Sequence, residues 1–287
     1  MSSQHLSREE YVEQAYFFRV LRERLADSTP VQEILGGLKE EILTTTRLPM
    51  AIDFLTGELQ LKGHFGQGMA RLKHYFAPFQ SFIISRSEEE SAKLDFSIAL
   101  RILERQARFL SEQPNNPAAL FIFQFECLAR NKLGYDSGIK AIADDPAYPP
   151  EWKGWIARIR SMIGTVEFAD LVYSQSQQYL EDQRKRQNDP NLTFSAPILF
   201  DGAAGRIARA NLGKDPLYLF AALQRQLGYP VVPRSRSAVQ ESAISPQLEL
   251  RLQRIESRML LLEQEQRGGL DLSQFYQAPK NDVDDVE

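Results

Sequence analysis

The stretch PAALFIFQFECLARNKL, residues 117–133, decides the fold class. Within it Leu120, Phe121, Ile122, Phe123, Phe125, Cys127, Leu128 and Ala129 leave little polar face, the pattern of a helix buried nearly all round. Its ends are legible: Asn116 can cap, Pro117 suits the first helical position, and Gly134 suits the left-handed residue that closes the last turn. The segment is too short and too sharply bounded to cross a bilayer. Glu126 and Arg130, one helical turn apart, read as an intrahelical ion pair on an exposed flank, in preference to a charged pair facing a cleft.

A buried helix needs neighbours, and the flanking sequence supplies them. Upstream, Ser7 and Glu10 have capping-box spacing, and a helix is expected over residues 7–26 with Tyr11, Ala15, Phe18 and Leu25 on one stripe that Phe17 and Leu21 widen. Thr29-Pro30 opens a second helix carrying Val31, Ile34, Leu35, Leu38 and Ile42, and Pro49 a third that Gly63 ends. A glycine-rich connection then feeds a helix with Met69, Leu72 and Phe76, which Pro78 interrupts. Ser87 and Glu90 form a second capping box, predicting a long helix from there to Ser111 with Phe96, Leu100, Leu103, Ala107 and Leu110 inward. Downstream, helices are expected from Pro150 to Gly164, over residues 165–186, over 207–212 and over 216–227, with residues 192–200 the one place where a strand is conceivable. The fold class is therefore all-α: antiparallel helix pairs in one compact, solenoid-like body over residues 1–228.

Ala99, Ile102, Phe109, Pro114, Asn116, Pro117 and Ala119, followed by Leu133-Gly134-Tyr135, Ile139, Ala141 and Asp145-Pro146, resemble the tetratricopeptide pattern over residues 96–159, about one and a half units. That resemblance implies stacked helix hairpins, whose concave face in the family holds peptides. The spacing departs from the pattern after Gly134, where the helix is short, and at the proline-heavy turn over residues 147–150.

From residue 229 to residue 245 the composition shifts to Pro, Ser, Arg and Val without periodicity, which reads as a linker. Beyond it, residues 246–267 read as a separate amphipathic helix in which Leu248, Leu252, Ile255, Met259 and Leu262 recur at the spacing of coiled-coil d and a positions. With Leu252 and Met259 at a, Arg251 and Arg258 fall at g and Glu256 and Glu263 at e, so a parallel copy meets opposite charges across the seam. Self-association, docking on the body and a different protein partner all satisfy this stripe. Residues 268–287 are expected to form an acidic, disordered tail.

The chain has 287 residues, 43% of them hydrophobic, enough for a sizeable core, and a net charge of -4 that gives no overall attraction to nucleic acid or anionic lipid. Its one cysteine, Cys127, is expected to be a buried thiol, the polar first ten residues hold no signal-peptide core, and a cytoplasmic setting is the default. No membrane partner is expected, and RNA contacts through Arg184-Lys185-Arg186 or through Arg234 and Arg236 are disfavoured by the acidic background.

No catalytic, cofactor-binding or metal-ligating set emerges. Gly63, Gly66 and Gly68 precede a helix, where free amides can cradle a phosphate, yet the P-loop's lysine is missing and an ordinary turn is the simpler reading. Gly202 and Gly205 raise the same possibility more weakly. Of the three histidines, His5, His64 and His74, none forms a zinc-site spacing, and a site joining Glu58, His64 and His74 is remote. The aromatic group Tyr75, Phe76, Phe79 and Phe82 reads as core. The expectation for function is a non-catalytic scaffold or protein-interaction module, without cofactor, acting through the C-terminal helix. The alternative is a small-molecule binder or enzyme with a pocket near residues 63–74.

Overall fold

The structure is a computed structural model that describes residues 6–89, 94–113, 115–193 and 196–234, all within the unit Met1–Ser235. The helix expected over residues 246–267, its five stripe residues and the acidic tail lie outside the described residues.

The protein is all-α. Among the described residues the helices run α1 (Arg8–Ala26), α2 (Val31–Glu41), α3 (Leu48–Lys62), α4 (Phe65–Arg71), α5 (Pro78–Ser87), α6 (Phe96–Glu112) and α7 (Pro117–Asn131). They continue with α8 (Tyr135–Ala143), α9 (Pro150–Met162), α10 (Phe168–Ser174), α11 (Gln177–Gln187), α12 (Gly202–Ala210) and α13 (Pro216–Leu227). No strand occurs among them; Phe200 forms only an isolated parallel bridge with Ser176.

α7 is the buried helix that its composition demands. Every residue from Ala119 to Leu128 is buried, including Gln124 and Glu126. Asn116 caps its first turn through the Ala119 amide at 3.1 Å. Its last turn closes one step earlier than Gly134 suggests, because Lys132 takes the left-handed conformation at φ 53° and Gly134, at φ 86°, starts α8 instead. Phe121 meets Trp152 and Trp155 of α9 with ring centroids 5.8 and 4.9 Å away, and Phe125 stacks on Phe168 of α10 at 4.0 Å. α13 and α8 also pack on α7, so elements that follow it in the sequence enclose it.

The amino-terminal half closes differently. α1 lies along α6, a pairing between helices that four others separate in sequence, and buries Phe17, Phe18 and Leu21. Ser7 accepts the Glu10 amide at 3.4 Å, but Glu10 does not return the bond as a capping box requires. Its carboxylate is drawn inward, where it accepts from the Arg47 amide at 2.9 Å and the Tyr75 hydroxyl at 2.8 Å. This one acid thereby ties α1 to the start of α3 and to the connection before α5.

Further helix boundaries differ from expectation for identifiable reasons. Pro78 does not stop a helix; it is the first residue of α5, where a missing amide proton is no loss. Ser87 ends α5, and α6 begins at Phe96 because Asp95 accepts the Ser97 and Ile98 amides at 2.8 and 3.2 Å. The single helix expected over residues 165–186 is broken into α10 and α11. At the break Gln175 carbonyl accepts the Leu199 and Phe200 amides at 2.8 and 3.1 Å, and Phe200 carbonyl accepts from Gln177 at 3.0 Å. A methyl at Gly205 would lie 2.6 Å from Ser176 Cβ and 2.7 Å from Gln178 Cβ, so α12 reaches the start of α11 only because that position is glycine.

Candidate functional site

The glycine-rich connection is a site for an anion, and the chain supplies the anion itself. Gly63 caps α3 at φ 72°. The first amides of α4, from Phe65 and Gly66, donate to the two carboxylate oxygens of Glu88 at 2.5 and 2.9 Å. A carboxylate there satisfies the unpaired donors of a helix start and its positive end. Gly66 is required by contact rather than by a ligand, since a methyl on it would sit 2.8 Å from Ser85 N and 2.9 Å from Ser85 Cα. At the second glycine pair the capping role belongs to Asp201, which accepts the Ala204 amide at 2.7 Å.

The histidines and Glu58 do not assemble. His64 and His74 are exposed, and His5 lies outside the described residues. Glu58 pairs with Arg71 and, at 3.3 Å, with Lys62. The Arg71 bond is the leading reason that its carboxyl titrates below the usual glutamate range. No cluster of three metal-ligating side chains occurs among the described residues. Cys127 is fully buried, and burial raises its thiol pKa well above the ordinary value, which removes it from nucleophilic chemistry.

A small cavity lies between α1, α6 and the segment before α5, and of residues 63–74, where a pocket was expected, Lys73 and His74 alone border it. Tyr11, Gln80, Gln106 and Asp145 line it, with exposed Lys73 and His74 at its edge. Its volume is about 30 Å³, room for one or two water molecules. Gln106 is 1% exposed and neither atom of its amide has a hydrogen-bond partner in the protein. Asp145 accepts from Gln124 at 3.1 Å and from the Ala147 amide at 2.9 Å, while Tyr148 donates to Gln124 at 2.7 Å. Burial first, then the Asp145 charge, push Tyr11 up to about 12. Polar groups share the lining with apolar side chains and the space is small, which suits bridging water. Gln106 was legible in principle, as a polar residue three positions beyond Leu103 on an inward stripe.

The second polar centre lies on α7. Glu126 and Arg130 form the expected intrahelical pair, but not on an exposed flank: Glu126 is 4% exposed. What covers it is the start of the segment read as a linker. Tyr229 donates its hydroxyl proton to Glu126 at 2.7 Å, and the hydroxyl oxygen lies 3.0 Å from the Phe220 carbonyl. Burial, followed by the Glu126 charge, raises the Tyr229 pKa beyond the normal tyrosine range. Two further side chains grip the backbone that follows: Asn131 donates to the Pro233 carbonyl at 3.0 Å, and Arg105 of α6 donates to the Val231 carbonyl. Tyr229, Val232 and Pro233 are buried, while Val231 between them is 61% exposed. Residues 229–234 thus form a strap on α6 and α7. The sequence signal for it was an aromatic and two branched residues inside a proline-bearing run, masked by the lack of periodicity.

A third network joins α10, α11 and α12. Asp182 accepts from Tyr173 at 2.6 Å, from Gln178 at 3.0 Å and from Arg209 at 2.8 Å. Like Glu10, it binds helices together, whereas Glu126 binds α7 to the strap. Comparison of the chain with protein-family models, with curated proteins and with solved structures finds no match.

Proposed function

We propose that this protein is a non-catalytic helical scaffold that self-associates through residues 246–267. The observation that carries the reading is the stripe Leu248, Leu252, Ile255, Met259 and Leu262, flanked by Arg251 and Arg258 on one side and Glu256 and Glu263 on the other. Apolar residues alternating at four and three drive two such helices together, and the opposite charges at e and g favour a parallel copy. The chemistry of the body is compatible. Its buried acids Glu10, Glu126 and Asp182 are each met by donors from more than one segment, which is what structural acids require. In this reading α6 to α9, where the tetratricopeptide resemblance falls, belong to the framework, and a cytoplasmic setting accommodates the single buried thiol. No helix among the described residues is long and apolar enough to cross a membrane.

Light scattering coupled to size-exclusion chromatography tests the proposal on the full chain and on Leu252→Glu/Met259→Glu. The expected result is a dimer for the first and a monomer for the second, with unchanged circular dichroism from the body. A full-chain monomer across the accessible concentration range removes the reading.

A further inference from the structure

We infer that the outward face of α3 is where two bodies meet in the self-associated protein, packed antiparallel on the same face of a second copy. The inference rests on the self-association proposed above and adds a second contact to it. Met50, Phe54, Gly57 and Leu61 follow one another along α3 at spacings of four, three and four. At the helical period these positions share one side, turned away from the buried Leu48, Ala51, Ile52 and Leu55. Met50 is 73% and Leu61 81% exposed, the highest values of any large apolar residue among those described. Phe54 is half-buried, with the Arg71 guanidinium 5.6 Å from its ring centroid.

Gly57 has no explanation inside the chain. It sits in the interior of a helix with ordinary helical backbone, where glycine is less stable than alanine. Nothing lies within 4 Å of the place a methyl would occupy, whereas the same methyl at Gly66, Gly138 or Gly205 would meet a neighbour closer than 3 Å. What glycine provides at position 57 is bare backbone in the middle of an apolar face, a hollow open to a side chain from outside.

The occupant is a second copy because the pattern reads the same in both directions. Turning α3 end over end about the midpoint between Leu55 and Thr56 sets Met50 opposite Leu61 of the second copy, and Phe54 opposite its Gly57. The bulkiest side chain of the face thus enters the hollow, and a two-fold axis forms each contact twice. A parallel arrangement would instead set Phe54 on Phe54 and leave Gly57 facing a void. Charge does not oppose the approach, since Asp53 pairs with Lys39 at 2.8 Å, and Glu58 with Arg71 and Lys62, all within the chain. A stable interface draws on about 20–30 residues a side, and this stripe supplies only a few of them. The face therefore closes between bodies already tethered by their paired 246–267 stripes, where the effective concentration of the second face reaches about the millimolar range.

The test uses the full chain carrying Met50→Cys and Leu61→Cys, both at exposed positions, with each single variant as a control. The native Cys127 is buried and silent. Positions 50 and 61 stand about 16 Å apart along one helix, beyond the span of a short bismaleimide, so a link between them joins two copies. Products are sized on a denaturing gel beside light scattering of the unlinked sample. The antiparallel contact predicts a dimer in solution, a covalent product of twice the chain mass from the double variant, and no product from either single variant. A dimer in solution that yields no such product, or yields it equally from a single variant, overturns the α3 contact and leaves self-association standing. A monomer in solution overturns both. Gly57→Leu, added to the double variant, fills the hollow and should abolish the product while circular dichroism and the mass in solution stay unchanged; an undiminished product overturns the seating of Phe54 on Gly57.

Discussion

Replacing Tyr229 with Phe removes one oxygen and nothing else from the strap. The ring keeps its edge contact with Phe123, at 6.4 Å between centroids, so little apolar burial is lost. What is lost is the 2.7 Å bond to Glu126 Oε2, leaving a carboxylate oxygen on a residue 4% exposed with only Arg130, on the other oxygen, to compensate. A hydrogen bond to a charged group contributes about 1.5–3 kcal/mol. The Phe220 carbonyl is a lesser loss, since it sits inside α13. We expect Tyr229→Phe to destabilise the protein by about 2 kcal/mol, measured as a lower urea midpoint at constant m. In a body of this size that corresponds to a melting temperature lower by about 4–8 °C. Glu126→Gln, made alone and together with Tyr229→Phe, completes a cycle whose coupling energy should exceed about 1 kcal/mol. A loss below about 0.5 kcal/mol, or a coupling energy indistinguishable from zero, would falsify the claim that the strap seals Glu126.

Gly66→Ala drives a methyl into the backbone of Ser85, and overpacking of this kind costs about 1–3 kcal/mol; an unchanged denaturation midpoint refutes the close approach of α4 and α5. The Tyr173 hydroxyl bond, reinforced by Gln178 and Arg209, holds the Asp182 carboxyl below the usual aspartate range. A lowered folded pKa gives stability that is complete above the unfolded value of about 3.9 and is lost as pH falls below it through the folded value. The stability difference between wild type and Asp182→Asn should therefore be constant above about pH 5 and shrink toward pH 2, and a difference independent of pH refutes the pairing. Cys127 should react with an aromatic disulfide reagent only at the rate of unfolding, so fast labelling of the native protein contradicts its burial.

The elements legible in the sequence are those whose cause is local. α7 follows from its own composition and cap, and α13 from Asp215, Pro216 and Gly228, which cap, open and close it. Misread elements have causes elsewhere in the chain. α5 was missed because Pro78 is both a helix breaker and a helix starter, and only the chain before it decides which. The break between α10 and α11 is made by Leu199 and Phe200, which no window around Gln175 contains. Ser87 and Glu90 pointed to a helix start just downstream, whereas the acid between them, Glu88, serves the start of α4, more than twenty residues earlier. The polar centres show the same division. The Glu126–Arg130 pair was evident from spacing, whereas its burial under Tyr229 depends on a residue 103 positions away.

That separation has a consequence for how the chain is made. At about 5–20 residues per second, a ribosome that has just delivered Glu126 works for roughly 5 to 20 s more before Tyr229 leaves the exit tunnel. Throughout that interval α7 lacks the helix α13 that packs on it and the tyrosine that meets the second oxygen of Glu126. The face of α7 that they cover is therefore open to solvent until α13 and the tyrosine behind it arrive.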